Sequence, residues 1–101
     1  MAEEIHLNDI GTVFEVVIVD AGAAVDISGA TTLELIFTPP TKPKKVKVAA
    51  LVSDGRDGKI EYVTVANDLD ETGTWKIQAH VVLSNGAWRS EIGSFNVFGN
   101  L

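Results

Sequence analysis

Residues 69–86 read Leu69-Asp70-Glu71-Thr72-Gly73-Thr74-Trp75-Lys76-Ile77-Gln78-Ala79-His80-Val81-Val82-Leu83-Ser84-Asn85-Gly86. From Trp75 onward, Trp75, Ile77, Ala79 and Val81 alternate with Lys76, Gln78 and His80. Successive side chains of a strand point to opposite faces, so this period predicts a half-buried strand. Turn chemistry bounds it on both sides. The Asn85-Gly86 pair favours a tight hairpin, because a type I′ turn needs φ > 0 at both central residues. That hairpin is expected to join Trp75–Leu83 to a strand near residues 87–91, with Trp88 partly buried beside it.

The same alternation recurs outward from this stretch. Phe14, Val16 and Ile18 share one face, as do Leu33, Leu35 and Phe37. Val46 and Val48 alternate with Lys45 and Lys47, and Ile60 and Tyr62 with Lys59 and Glu61. These runs are rich in Val, Ile, Thr and aromatics, which suit a pleated surface. The breaks between them are turn-like. Asp20-Ala21-Gly22 closes the first run, and the proline-rich stretch 39–43 lacks the N–H groups a central strand needs. Asp54-Gly55-Arg56-Asp57-Gly58 predicts a hairpin turn. Gly93 predicts a bulge or bend, after which Phe95 and Val97 face inward. Asn67-Asp68-Leu69-Asp70 reads as one helical turn; no other segment has helical period.

About seven short strands without a linker or repeat predict an all-β fold, an immunoglobulin-like antiparallel sandwich. Residues 1–8 read as an N-terminal arm and 9–101 as a single domain. In such sandwiches an acidic-x-Gly-x-aromatic run marks the corner before the sixth strand, usually with tyrosine. Trp75 stands there instead. It has no hydroxyl for the corner bond and is expected to act as a large core anchor.

Composition narrows the function. A chain of 101 residues fits one domain that buries roughly two-thirds of its unfolded surface. There is no cysteine, so neither a disulfide nor a thiolate metal site supports the fold. No apolar run reaches the roughly 18 residues of a membrane span. The start Met1-Ala2-Glu3-Glu4-Ile5 is acidic rather than basic, which predicts cytoplasmic synthesis with an intact N-terminus. The net charge of −6 argues against nucleic acid and anionic lipid as partners.

No constellation of residues points to catalysis, metal or cofactor. His80 lies on the polar side of its strand and His6 in the arm. Asp54, Asp57, Asp68, Asp70 and Glu71 lack the calcium-loop pattern and read as turn and cap residues. No nucleophile elbow and no phosphate loop is present. The expectation is a non-enzymatic protein.

Aliphatics on the solvent side stand out: Val13, Val17 and Val19 in the first run, and Ile36, Val63, Val65 and Val82 elsewhere. They are either scattered exposure or a patch that docks a partner, to which a strand edge could add backbone pairing. Lys42, Lys44, Lys45 and Lys47 form the basic cluster of an acidic chain, read as a solvated face or as a docking point for an acidic neighbour. The candidate contact residues are Ile5, His6, Val17, Val19, Ile36, Lys44, Lys45 and Lys47. The candidate structural residues are Gly11, Phe14, Gly73, Trp75, Asn85, Gly86, Trp88 and Phe95.

The order of these signatures carries a resemblance. Asp9-Ile10-Gly11-Thr12-Val13-Phe14 opens the first strand, and Val25-Asp26-Ile27-Ser28-Gly29-Ala30-Thr31 leads to the second. Gly58-Lys59-Ile60-Glu61-Tyr62, the 69–75 corner, Asn85-Gly86, Ser90-Glu91 and Phe95 follow. From about Asp9 to Val97 this resembles an immunoglobulin-like domain widespread in tailed-bacteriophage structural proteins, such as the N-terminal domain of baseplate upper proteins. The resemblance implies a virion component without catalytic residues. It would be made in the host cytoplasm and bound to other phage structural proteins of tail or capsid. A homo-oligomer would be compatible; nucleic acid and membrane insertion are not implied. Baseplate upper proteins continue into further segments, whereas this sequence ends at Leu101, so it is also similar to small capsid decoration proteins. The alternative is an adhesion or carbohydrate-binding module contacting the host surface, which an exposed Trp88 beside Tyr62 would favour.

Overall fold

The computed structural model describes residues 5–100. Among them every regular element is a strand. In chain order these are β1 (Ile5–His6), β2 (Val13–Val17), β3 (Val19–Asp20), β4 (Ala23–Ala24), β5 (Thr32–Thr38), β6 (Lys45–Val48), β7 (Ala50–Leu51), β8 (Lys59–Val63), β9 (Gly73–Leu83), β10 (Gly86–Arg89) and β11 (Gly93–Phe98). A six-stranded sheet has the order β1-β11-β9-β5-β6, with β10 also on β9. A three-stranded sheet has the order β2-β8-β7, and β3-β4 form a hairpin.

The expected all-β character holds, in shorter pieces than about seven strands. The run 45–51 shows why. Its first part, β6, pairs with β5; then Ala49 donates its N–H to Leu33 O at 2.9 Å, and β7 pairs with β8 in the other sheet. One extended run thus serves both sheets.

The eleven residues of β9 hold the large sheet together. One flank of β9 pairs with β5, the other with β10 and then β11. Trp75, Ala79 and Val81 point inward as their alternation predicts, and all three are fully buried. Leu35, Phe37 and Val97 join them from the same sheet, and Phe14 and Ile60 face them from the other. Phe14 meets Phe37 edge-on at 5.2 Å between ring centroids and lies 4.7 Å from Phe95. Trp75 stacks on Phe95 at 5.8 Å. Its indole N–H donates to Glu71 O at 2.9 Å. Trp75 is the expected anchor and also ties the corner with a hydrogen bond to the backbone upstream.

Bulges break the ladders in two places where two strand residues face one, or three face two. At the start of β2, Gly11 donates its N–H to Thr64 O while Thr64 returns its own to Thr12 O. Gly11 has φ +90, the left-handed conformation that this type of bulge requires. The spare N–H of Thr12 goes to Thr64 Oγ1 at 3.0 Å. Residues 90–92 interrupt the flank between β10 and β11, immediately before the predicted Gly93. There the buried Ser90 donates its N–H to Ala79 O and accepts the Ala79 N–H on its hydroxyl at 2.8 Å.

Other expectations change. The hairpin after β9 is present, but its loop is Ser84-Asn85, and Gly86 already pairs with Leu83. Neither loop residue has positive φ, so the turn is not type I′. Gly86 serves contact instead, since a Cβ there would lie 3.0 Å from the Trp88 ring that covers it. Residues 67–70 form no helical turn. Asp68 N–H bonds to Val65 O, and Asn67 at φ +69 turns the chain out of helical geometry. The described part of the arm is a strand. Ile5 and His6 run parallel to β11, Leu7 N–H bonds to Phe98 O, and Asn8 N–H to Leu69 O. The arm's residues 1–4 lie outside the described residues.

Candidate functional site

The lysine cluster divides into two groups. Lys45 and Lys47 point inward from β6, while Val46 and Val48 face solvent, Val48 at 83% exposure. Lys45 Nζ donates to Asn67 O at 3.0 Å and Asp68 O at 2.9 Å, stands 2.9 Å from Asp70 Oδ1, and lies over the Trp75 ring. Lys47 Nζ pairs with Asp68 Oδ1 at 3.0 Å. Lys42 Nζ reaches Asp70 O and, at 3.4 Å, Asp70 Oδ2. The acidic neighbour of these lysines is therefore the chain's own 67–70 turn.

Asp68 is the hub of this network. Its Oδ2 accepts from Tyr62 Oη at 2.5 Å and from Val65 N–H at 2.9 Å. Burial pushes the Asp68 carboxyl up, but these hydrogen bonds and the Lys47 ammonium outweigh it and hold the group below its ordinary range. The Lys45 ammonium beside Asp70 does the same for that carboxyl against the pull of burial. Tyr62 is pushed up to about 12, first by burial, then by its bond to Asp68 and that carboxylate's charge. The space among Phe37, Lys45, Lys47, Tyr62, Thr64 and Asp68 has no room for water-sized molecules. A closed network without substrate access ties the turn to the sheet.

Tyr62 gives a clean readout, because the chain has one tyrosine. The folded-state pKa lies above the ordinary value of about 10, so the Tyr62–Asp68 bond stabilises below about pH 10 and is lost as pH rises toward 12. A spectrophotometric titration should give a midpoint near 12, moving toward 10 in Asp68→Asn. A midpoint near 10 in the folded wild type would show that the bond is not made.

Three of the remaining five cations converge elsewhere. Lys44, Lys76 and Arg89 come from the 39–44 loop, β9 and β10, and border a shallow depression over Ile36 and Gln78 on the outer face of the large sheet. Its volume is about 150 Å³. Ile36 is half-buried there. His80 lies on the same outer face, half-buried, with Nδ1 3.1 Å from Glu34 Oε1.

Several exposed aliphatics lie on or beside the small sheet, apart from Val46 and Val48 on β6 and from Ile92. Val13 pairs with Val63 across β2 and β8 on its outer face, at 55% and 48% exposure. Val65 and Ile10, at 55% and 69%, flank the Gly11 bulge beyond them. Val17 and Val19 are exposed toward the other end of the β2 run. Between the β2 edge and the β10–β11 flank lies a groove of about 590 Å³, lined by Glu15, Val16, Val17, Val19, Ile77 and Glu91 among others. Ile5 and His6 lie apart from it on β1, and the His6 ring stands 6.2 Å from that of Phe98.

Several of the candidate structural residues lie in or beside the core. Phe14 and Trp75 are core, and Phe95 and Trp88 pack half-buried against it. Gly73 has φ +121 where β9 begins, and a Cβ there would press on Pro40. Tyr62 is half-buried with its hydroxyl bonded, so it and Trp88 do not form an exposed aromatic platform. Among the described residues no three His, Cys, Asp or Glu side chains gather as a metal site.

No family model, no curated protein and no solved structure matches this chain.

Proposed function

We propose that the protein is a non-enzymatic interaction module, an immunoglobulin-like sandwich on the exterior of a bacteriophage particle that binds other structural proteins of tail or capsid. One observation carries the interaction reading: Val13 and Val63 pair as exposed aliphatics on the small sheet, with Ile10 and Val65 also exposed at the Gly11 bulge beyond them. An acidic chain that leaves such a patch on a rigid sheet face has a surface suited to a protein partner. The strand order supports the finer fold. Sheets β2-β8-β7 and β1-β11-β9-β5-β6 correspond to the B-E-D and A′-G-F-C-C′ orders of an immunoglobulin sandwich. The particle assignment rests on the order of turn and corner motifs from Asp9 to Phe95.

The test is the copy number of the protein in purified particles, measured by mass spectrometry against the major capsid protein. Hundreds of copies would place it on the capsid, and a few to a few dozen on the tail. Its absence would overturn the particle reading. In that case the host-surface adhesion module becomes the working alternative.

A further inference from the structure

We propose that β2 is a docking edge at which an extended segment of a partner protein, rich in aliphatic and basic residues, adds as a further strand. This rests on the reading of the protein as an interaction module and names the edge and the chemistry of its partner.

The argument starts from the ladder. Antiparallel pairs alternate between residues that bond to the neighbouring strand and residues that turn away from it. The bonds from Thr64 N–H to Thr12 O and from Ile18 N–H to Gly58 O mark the even-numbered residues as those facing β8 and its approach. Val13, Glu15 and Val17 therefore direct their N–H and C=O groups away from β8. Among the described residues no strand pairs with β2 on that side. Such a row of donors and acceptors is a template for another chain.

The edges of the two sheets differ in protection. On β6, Lys45 and Lys47 point inward, a device that blunts an edge against foreign strands. The stretch Val13-Phe14-Glu15-Val16-Val17 contains no lysine and no proline. Beside it runs the groove of about 590 Å³, with Val16, Val17 and Val19 on one side and Ile77 and Gly93 on the other. An added strand would find apolar ground for its alternate side chains there.

Charge selects the occupant. Glu15 and Glu91 line the groove and no cation does. Lys59 stands at its rim, with Nζ 4.0 Å from Glu15. A second copy fits poorly. Symmetric antiparallel pairing centred on β2 would set Glu15 opposite its own copy, and each chain carries a net charge of −6. A segment that alternates aliphatic with lysine or arginine satisfies both groove and rim.

The test uses isotope-labelled full-length protein and a synthetic peptide of about seven residues alternating valine and lysine. The amide signals of Val13, Glu15 and Val17 should shift on titration and gain protection from hydrogen exchange. Glu15→Pro should weaken binding about tenfold or more, because proline lacks the edge N–H that the fold leaves unused. If that variant does not fold, Val17→Lys provides the second readout and should reject the basic peptide. Shifts confined to β6, equal binding of a valine–glutamate peptide, or unimpaired binding by both variants would overturn the proposal. So would β2 protection without peptide that is lost on dilution, which indicates a second copy, or on removal of residues 1–4. Particle incorporation separates the two readings. Normal copy numbers of a variant that cannot bind the peptide overturn β2 as the docking edge and leave the particle reading standing. Peptide binding at β2 by a protein absent from particles does the reverse.

Discussion

Trp75→Ala is expected to lower the melting temperature by roughly 15–25 °C. The indole is fully buried, stacks on Phe95 and lies beneath the Lys45 ammonium. Deleting a buried tryptophan costs about 3–5 kcal/mol, because the site collapses only partly around the void. Two further losses follow here. Glu71 O loses the indole N–H that ties the corner to β9, and the inner faces of both sheets lose the ring next to the Phe95–Phe14 contact. A domain of this size is stabilised by about 5–15 kcal/mol in total, so the loss removes a large share of its stability. Trp75→Phe separates the parts. It keeps most of the apolar bulk while removing the N–H and part of the ring, and should recover more than half of the lost melting temperature. Calorimetric melts of the three proteins check this. A shift below about 5 °C for the alanine variant would mean that Trp75 is not the anchor of the core.

The contrast between what alternation reveals and what it hides follows from local and non-local causes. The faces of β5 and β9 are legible because both are long and central, so period two maps directly onto inside and outside. On β6 the same rule points the wrong way. Val46 and Val48 face water because the inner side of this edge strand meets a carboxylate-bearing turn, and Lys45 and Lys47 are long enough to reach it. That meeting joins residues more than twenty positions apart, and no local pattern shows it. The depression bordered by Lys44, Lys76 and Arg89 was hidden for the same reason, since it draws on three separate elements. The solvent-side valines of β2 and β8 were legible as a list; only the pairing of Val13 with Val63 made them a patch. Ser90 was legible only as part of the Ser90-Glu91 motif, not as a ladder partner. Its hydroxyl standing in for a carbonyl in the β9 ladder is a property of the bulge.

Asp68→Ala should cost about 3 kcal/mol and change how stability depends on pH. The carboxylate is buried and accepts from Tyr62 and the Val65 N–H while pairing with Lys47. Removing one partner from such a network costs about 3–5 kcal/mol, mostly through the groups left behind. The lower end applies here, because the Lys47 side chain keeps 30% of its surface exposed and can swing to water. The pH dependence has a definite sign. The folded carboxyl lies below its ordinary value of about 3.9, so its contribution is complete above that value. It is lost as pH falls through the depressed folded value. Asp70, lowered by Lys45, adds a loss of the same sign. Wild-type stability, measured by urea unfolding, should therefore decline on acidification from about pH 5 to below about 3. Asp68→Ala should start lower and decline less over that range. If the damage lies in stranded partners, Tyr62→Phe should cost markedly less in the Asp68→Ala background than in the wild type, since the hydroxyl has already lost its acceptor. Equal costs in both backgrounds would show that Tyr62 and Asp68 act independently. The carboxylate would then be a solvated turn residue rather than the hub that fastens the 67–70 turn to β6 and β8.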